Sequence, residues 1–233
     1  MLLGNYFHNI NKNYKNFYFS GISFDTKSIK KNNIFFAIKG NSFDGNKFIP
    51  EAIKKGSKII VTERKTNQFQ NGILYIHTNI VRKLLAETAF KIYNKKPKNL
   101  IAVTGTNGKS SVADFYYQIL KLNNKKVASI GTLGVKSKNI NLNLSNTTID
   151  PIKLAEILCK LKSHKIENVI MEASSHGLKQ NRLDGLKFNS GIFTNLSQDH
   201  LDYHTNIKNY LNAKLYLFKN LIKKNGNVIT DQL

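Results

Sequence analysis

The fold is decided by residues 99–122, NLIAVTGTNGKSSVADFYYQILKL. The apolar run at 99–104 predicts a buried strand, which passes through a short glycine-containing loop into a helix predicted over 110–122. The helix is predicted from apolar residues at i, i+3, i+4, i+7 and i+8, namely Val112, Phe115, Tyr116, Ile119 and Leu120. A strand, a loop and a helix in this order are typical of a parallel sheet covered by helices.

The loop between strand and helix has the composition of a phosphate cradle. Gly105 and Gly108 permit close backbone approach, and amides of the loop and of the helix N-terminus would face phosphate oxygens. Lys109 would reach the terminal phosphates, and Ser110 would ligate Mg²⁺. Val103 stands where a full GxxxxGKS/T motif has its first glycine, so an ordinary turn remains the alternative.

The flanking sequence continues the alternation of strands and helices. Downstream strands are predicted at 126–130, 168–173, 190–195 and 226–230, with helices opening at Asp150-Pro151 and over 206–221. Upstream, the predicted elements are a strand at 34–38, a helix at 50–56, a strand at 58–63 and a helix at 79–93. The polar stretch NKKPK at 94–98 separates the two parts. We therefore expect an α/β protein with a small N-terminal domain, residues 1–97, and a mostly parallel-sheet P-loop-type domain, residues 98–233. The chain stops just after the last predicted strand, which suggests a truncation.

The composition leaves the meaning of the charge open. The chain has 36 Lys and Arg against 14 Asp and Glu, a formal net charge of +22. Such a charge would suit nucleic acid or a membrane surface, but the lysines are scattered in short pairs and no basic-aromatic block appears, which favours a solvated surface. One cysteine, no signal peptide and no membrane-length apolar run predict a cytoplasmic protein without membrane insertion.

Four side chains further along the chain are candidates for metal binding or catalysis. Glu172 ends a predicted strand, where doubly wound sheets bind ligands, and a carboxylate there is costly unless it is paired or metal-bound; the alternative is a solvated residue at a strand end. His200 and His204 have the spacing of a zinc pair on a helix, although an Asp-His sequence at a strand end fits Mg²⁺ better. Lys214 lies on the apolar seam of the helix at 206–221, where snorkelling to water is the simple explanation.

Several segments together resemble the Mur ligase superfamily, which includes the peptidoglycan ligases, cyanophycin synthetase and folylpolyglutamate synthetase. They are TGTNGKSS (104–111), SNTTIDP (145–151), ASSHGLKQNR (173–182), FTNLSQDHLDYH (193–204) and NYLNAKLYLF (209–218). The serine pair after the lysine, together with the second, third and fourth segments, is most similar to the peptidoglycan branch. There, the enzyme that adds the third residue of the stem peptide has similar segments.

The resemblance implies roles for individual residues. It implies ATP and Mg²⁺ as cofactors and Lys109, Glu172, His200 and Lys214 as catalytic residues. The implied metal ligands are Ser110, Glu172, His200 and Lys214, with Lys214 as N6-carboxylysine and His204 as structural. ATP would bind Thr104, Gly105, Thr106, Asn107, Gly108, Lys109, Ser110 and Ser111. The amino-acid-bearing substrate would contact Asn146, Thr147, Thr148, Ser174, Gln180 and Arg182.

The stretch FDTKSIKKNNIFFAIKGNSFDGNKFI, residues 24–49, resembles the UDP-binding N-terminal domain of the same branch. The implied uridine-side positions are Phe24, Thr26, Asn41, Ser42 and Phe43. The stretch departs from the family pattern at Asp25-Thr26-Lys27, which replaces Asp-Ser-Arg, at Asn33, which replaces an acidic residue, and at Asn46, which replaces a histidine.

The implied function is ATP-dependent joining of a diamino acid to UDP-N-acetylmuramoyl-L-alanyl-D-glutamate through an acyl phosphate; the diamino acid is meso-diaminopimelate or L-lysine, and the former is favoured. We expect a monomer with no nucleic-acid partner, and little activity from this chain alone because the family's C-terminal domain is missing. Two alternatives stay open, another ligase of the superfamily or a non-enzymatic basic protein that binds nucleic acid.

Overall fold

The computed structural model describes residues 1–7, 10–40 and 43–231, and the chain divides into two compact units, Met1–Lys91 and Ile92–Leu233. Each unit contains one mostly parallel β-sheet with helices, so the predicted α/β class is confirmed. No helix in the described ranges is both long enough and apolar enough to cross a membrane.

The first unit is built on a five-stranded sheet of order β1-β2-β3-β5-β4. Its strands are β1 (Gly21–Ser23), β2 (Asn33–Phe36), β3 (Ile59–Thr62), β4 (Phe69–Gln70) and β5 (Ile73–His77). Its helices are α1 (Ile49–Lys54) and α2 (Val81–Ile92), with 3-10 turns at Leu3–Asn5, Lys12–Tyr14 and Gly45–Phe48. Neighbouring strands run parallel except for β4, which is antiparallel to β5.

Apolar periodicity and end signals explain these elements. All four residues of β2 and of β3 are buried, as expected for central strands of a parallel sheet. Pro50 lies in the first turn of α1 and Gly56 follows its end, the usual placement of both residues. The sequence predicted β2, α1, β3 and α2 but not β1, β4 and β5.

The second unit has a seven-stranded sheet of order β12-β11-β6-β10-β7-β8-β9. Its strands are β6 (Asn99–Thr104), β7 (Val127–Gly131), β8 (Gly134–Ser137), β9 (Asn141–Leu142), β10 (Asn168–Glu172), β11 (Phe188–Phe193) and β12 (Ile222–Thr230). Its helices are α3 (Lys109–Leu122), α4 (Pro151–Ser163), α5 (Ser175–Lys179), α6 (Leu201–His204) and α7 (Ile207–Tyr216). The five strands from β12 to β7 are parallel, whereas β8 and β9 are antiparallel.

The predicted strand at 99–104 has the bounds of β6, which lies between β11 and β10 inside the sheet. The signal that predicted α4 is also confirmed, since Asp150 caps the helix by accepting a hydrogen bond from the Lys153 amide at 2.9 Å. Because β6, β10 and β11 run parallel, the residues that follow them lie at one edge of the sheet.

The prediction of which face of α3 is buried is wrong in part. Ala113 is its buried residue, and it packs with Val103 and Ile170 while Val112 and Tyr116 lie beside them. Phe115 and Ile119, predicted on the buried face, are exposed. The buried face of α3 is therefore centred on a small side chain.

The helix predicted over 206–221 is not one regular helix. α7 ends at Tyr216, and Leu217–Leu221 forms a π-helical turn that leads directly into β12. The apolar period alone could not show this change, because the π turn keeps Leu217 and Leu221 buried. The hairpin strands β8 and β9 also escaped prediction.

Candidate active site

The loop after β6 is tied to the end of β11. Asn195 accepts from two amides of the loop, that of Thr106 through its backbone oxygen and that of Asn107 through Oδ1, each at 2.9 Å. The Thr194 hydroxyl donates to the Asn107 carbonyl at 2.6 Å. The loops that follow β6 and β11 are thus held to one another by hydrogen bonds. The loop after β6 is therefore preorganised for a ligand.

Close packing explains the glycine at position 105. Its φ is +144°, and an added Cβ would lie 1.9 Å from Thr194 Oγ1 and 3.0 Å from the Asn195 amide nitrogen. Any side chain here would push the loop off the β11 edge. Thr104, directly before it, is fully buried under the loop.

Lys109 opens α3 and folds back over its own loop. Its ammonium donates to the carbonyls of Gly105 at 3.0 Å and Thr106 at 2.7 Å. Burial lowers the pKa of Lys109, while the carboxylates of Glu172 and Asp199 act in the opposite direction. The lysine is therefore placed at the mouth of the loop, within reach of an anion bound there.

Glu172, the last residue of β10, is a buried carboxylate, 3% exposed. Ser110 Oγ lies 3.0 Å from both of its oxygens, the Thr132 amide donates to Oε1 at 2.9 Å, and the Thr132 hydroxyl donates to Oε2 at 3.2 Å. A Cβ on Gly131 would meet Oε1 at 2.1 Å. Among the described residues its hydrogen-bond partners are neutral hydroxyls and an amide, and the charge of Lys109 acts on it without a hydrogen bond, which favours a cation as a further partner.

Lys214 is the buried lysine that the sequence placed on an apolar face. It is 1% exposed, and its Nζ donates to the Gly105 carbonyl at 2.6 Å and lies 4.1 Å above the Tyr210 ring. The snorkelling explanation is therefore wrong, because the amine ends inside the protein. Burial, with a smaller contribution from Lys109, lowers the pKa of Lys214 to about 7.

His200 lies beyond the end of β11 in the left-handed backbone region, at φ +53°. Its Nδ1 is 3.5 Å from Asp199 Oδ1, and its ring packs edge-on against His176 with centroids 4.8 Å apart. His204 is fully buried, neither ring nitrogen has a hydrogen-bond partner within the described part of the chain, and burial lowers its pKa to about 4. His204 packs its ring against Tyr210, which agrees with the structural role predicted for it.

Most of these side chains line one cavity of about 280 Å³. The predicted residues in its wall are Thr106, Asn107, Gly108, Lys109, Ser110, Ser111, Thr147, Glu172, Ser174, His200 and Lys214. The wall also contains Thr132, Ser175 and Tyr210, which were not predicted. Thr132 comes directly after β7, and its place at a strand end was the available signal. Tyr210 shares the seam of Lys214 and was interpreted as packing.

The other predicted substrate residues of this unit lie outside that wall, and three of them, Thr148, Gln180 and Arg182, are linked by hydrogen bonds. Thr148 Oγ1 donates to the Glu172 carbonyl at 3.0 Å and accepts from the Ser174 amide at 2.9 Å. Arg182 donates to Gln180 Oε1, with Nη2 at 2.8 Å, and to the Thr148 carbonyl. Asn146 is exposed and donates to Ser145 Oγ at 3.3 Å.

The uridine-side positions lie in the first unit, and Asn41 and Ser42 fall outside the described residues. Phe24 and Phe43 are 38% and 76% exposed. Thr26 is buried, and its carbonyl accepts from Lys55 Nζ at 2.9 Å.

The side chains of the cavity suit a hard cation without forming a complete site. Within residues 1–7, 10–40 and 43–231, no group of three His, Cys, Asp or Glu side chains could hold a metal alone. Ser110, Thr132 and Glu172 nevertheless supply oxygen donors at one point, as Mg²⁺ prefers. Lys214 fits as a ligand only after its amine has become an anionic oxygen group.

Two family models match this chain. The Mur ligase middle domain matches residues 103–232, more than half of the chain, and the Mur ligase family catalytic domain matches residues 18–102. The chain belongs to the Mur ligase family. The resemblance found in the sequence is thereby confirmed for the family.

Individual relatives are similar over most of this Mur ligase chain. The UDP-N-acetylmuramoyl-L-alanyl-D-glutamate–2,6-diaminopimelate ligase of Rickettsia montanensis is 44% identical over 227 residues, 95% of this chain and 47% of that protein. The chain thus spans about half the length of the curated relatives it matches. A solved structure of a ligase with the same name has a TM-score of 0.82 at 26% identity and covers 99% of this chain and 52% of its own.

More distant Mur ligases share the fold. The MurF ligase from Thermotoga maritima, solved in complex with ADP, has a TM-score of 0.57 at 22% identity over 90% of this chain and 45% of its own. At that identity the likeness shows the fold alone.

Proposed function

We propose that this chain provides the UDP-substrate and nucleotide sites of an ATP-dependent ligase that joins meso-diaminopimelate to UDP-N-acetylmuramoyl-L-alanyl-D-glutamate. The observation that carries the proposal is the cavity in which Lys109, Ser110, Glu172, His200 and Lys214 meet, in a chain 44% identical to a ligase of that name. The enzyme would act in the cytoplasm as a monomer in peptidoglycan precursor synthesis.

The loop at 104–111 would bind the triphosphate of ATP. Two of its amides, those of Thr106 and Asn107, already donate to Asn195, so the loop backbone needs little ordering on binding, and the phosphates would meet the amides at the N-terminus of α3. Lys109 now bonds to two loop carbonyls, and it would exchange these for the phosphate oxygens, a stronger charge-assisted contact.

Ser110 and Glu172 would hold one Mg²⁺ beside the phosphates, and His200 with modified Lys214 would hold a second. Bound Mg²⁺ would offset the charge that develops on the transferred phosphoryl group. Thr132 would help to orient Glu172, since its amide and its hydroxyl both donate to the carboxylate. Gly131, Thr132 and Ser110 thus fix the carboxylate where a cation is required.

Lys214 would carry a carbamate. Its neutral amine attacks CO₂, a C–N bond forms, and one proton is released, which leaves an anionic oxygen ligand in place of an ammonium. The pKa of about 7 leaves a large neutral fraction at physiological pH, and only the neutral amine can react. Buried surroundings then protect the product from water.

The chemistry divides into two transfers. The D-glutamate carboxylate attacks the γ-phosphorus, ADP leaves, and an acyl phosphate forms. The amine of the diamino acid then attacks the acyl carbon, inorganic phosphate leaves, and the amine loses a proton. Thr147 and Ser174 lie in the cavity wall, where they would position the carboxylate.

Calorimetric titration of the chain with UDP-N-acetylmuramoyl-L-alanyl-D-glutamate, and in parallel with UDP-N-acetylmuramoyl-L-alanine, tests this function. We expect the dipeptide form to bind more tightly and ATP turnover by the chain alone to be negligible. Tighter binding of the shorter substrate, or of a folate, would refute the assignment. Robust turnover would show that the chain already contains a complete enzyme.

A further inference from the structure

The imidazole of His200 needs an external constraint if it is to ligate a cation. Its side chain is 48% exposed, and its residue adopts the left-handed conformation at the start of the short helix α6. An exposed side chain in such a position changes rotamer freely unless a neighbour restrains it. Asp199 Oδ1, 3.5 Å from Nδ1, is the nearest carboxylate and belongs to the adjacent residue.

A second histidine, His176 of α5, supplies a rigid surface. Its ring meets the His200 ring edge to face, with centroids 4.8 Å apart and planes at 82°. The His176 ring also packs against the ring of Tyr203, with centroids 4.0 Å apart and planes at 31°. His176 thus lies against a second ring that has further contacts of its own.

Tyr203 is fixed by the segment that follows α5. Gln180 Nε2 donates to the Tyr203 hydroxyl at 3.0 Å, and Gln180 Oε1 accepts from Arg182. Lys179 Nζ donates to the Tyr203 carbonyl at 3.2 Å and lies 4.6 Å from the centre of its ring. A continuous series of contacts therefore runs from Arg182 through Gln180, Tyr203 and His176 to His200.

We propose that His176 is a positioning residue whose ring holds His200 in the orientation required to ligate the cation, and that Tyr203 couples this orientation to the Gln180–Arg182 segment. The inference rests on the proposed function and extends it. Residues that orient metal ligands typically change metal affinity by about 10- to 100-fold when they are removed. The contact is made by ring faces and edges, so shape is what matters here and not the ring nitrogens.

A pair of substitutions separates positioning from ligation. His176→Ala removes the surface, whereas His176→Phe keeps a flat ring and removes both nitrogens. With ADP present, we expect Mn²⁺ affinity, measured from free Mn²⁺ by electron paramagnetic resonance, to fall about tenfold or more in His176→Ala. It should stay within about threefold of the unsubstituted chain in His176→Phe. ADP affinity without metal should not change.

Tyr203→Phe and His164→Ala complete the experiment. Tyr203→Phe keeps the stacked ring but loses the bond to Gln180, and should lower Mn²⁺ affinity less than His176→Ala. His164, an exposed histidine at the end of α4, is the matched control and should have no effect. Melting curves confirm that each variant folds, and if His176→Ala does not, Tyr203→Phe and His176→Phe carry the test.

Three results would overturn the inference. Equal Mn²⁺ affinity in His176→Ala and the unsubstituted chain would show that His176 does not position His200, and the proposed metal site would still stand. Equal loss in His176→Phe and His176→Ala would make His176 a ligand and not a positioning residue. Failure of the unsubstituted chain to bind Mn²⁺ with ADP would overturn the proposed metal site as well, and so distinguishes the two failures.

Discussion

The nucleotide loop of the second unit and the uridine-side positions of the first differ in how their residues are held. In the loop, backbone amides, Lys109 and Glu172 are tied into one hydrogen-bonded network around a cavity. In the first unit, Phe24 and Phe43 are exposed while Thr26 is buried. A site that binds charged groups needs residues held at fixed positions, and such residues leave a recognisable sequence motif. A surface that would stack on a base needs only an exposed aromatic ring.

The largest effect is expected at the loop, where Lys109→Ala should weaken ATP affinity by at least about 100-fold, or about 2.7 kcal/mol. The Lys109 ammonium bonds to two carbonyls of the loop, and its removal takes away the positive charge that would bind the phosphates of ATP. Calorimetry with ATP and Mg²⁺ measures the change. Lys125→Ala, an exposed lysine beyond α3, is the control, and comparable losses in both variants would reduce the loop to general electrostatic attraction.

The next largest effect is expected when a side chain is removed from a hydrogen-bonded network in the first unit. Thr62 Oγ1 donates to the buried Asn46 Oδ1 at 2.6 Å, and Asn46 Nδ2 donates to Asp44 Oδ1 at 2.6 Å. Asn46→Ala removes both bonds, while Thr62 Oγ1 still accepts from the Arg64 amide and Asp44 still accepts from the amide of residue 46, and it should destabilise the first unit by about 1 to 2 kcal/mol. Hydrogen exchange read out by mass spectrometry locates the loss.

The control for that change is Asn67→Ala, at an exposed position of the same unit. ATP affinity should be the same in both variants. A loss of ATP affinity without a loss of stability would mean that Asn46 acts on the nucleotide site, contrary to the contrast between the two units.

Lys214 should make the second unit more stable as pH rises. Its folded pKa of about 7 lies below the ordinary value of 10.5, so the unfolded chain binds more protons between these values. The contribution of Lys214 to the free energy of unfolding should therefore rise through this window, by at most about 1.4 kcal/mol per pH unit, and this contribution should be constant below the window. Urea unfolding in CO₂-free buffer measures the slope.

Lys214→Met keeps the length of the side chain without the amine, so its curve should be flatter between pH 7 and 10. Parallel curves for the two proteins would show that the amine has its ordinary pKa and reaches water. Adding ¹³C-bicarbonate should give a carbamate carbon signal in the unsubstituted chain and none in Lys214→Met.

The smallest effect on stability is expected at Phe43. The ring is largely exposed, so Phe43→Ala should change the free energy of unfolding by less than about 0.5 kcal/mol. If the ring stacks on uracil, affinity for the UDP substrate falls several-fold while ATP affinity is unchanged. Unchanged affinity for the UDP substrate would remove Phe43 from the site.

The sequence by itself determined where most strands and helices lie and which loop was predicted to bind phosphate. The run at 99–104 became β6 with unchanged bounds, and Asp150-Pro151 began α4 as its capping signal required. These features depend on a few neighbouring residues, such as an apolar run, a cap or a glycine in a turn. Lys109, Glu172, His200 and Lys214 were singled out from their places at element ends or on an apolar seam, and the resemblance to the family implied their roles.

Only the tertiary structure decided which side chains face the cavity. Thr132 and Tyr210 contact it because β7 and α7 come beside the loop after folding, although they are distant from it in sequence. The buried face of α3 is centred on Ala113, because the way a helix packs on a sheet decides which of its side chains are buried. The π turn at Leu217–Leu221 and the stack of His176 on His200 likewise depend on neighbours that no local period contains. Local order follows from adjacent residues, whereas the orientation of a side chain towards a site is set by segments that meet only in the folded chain.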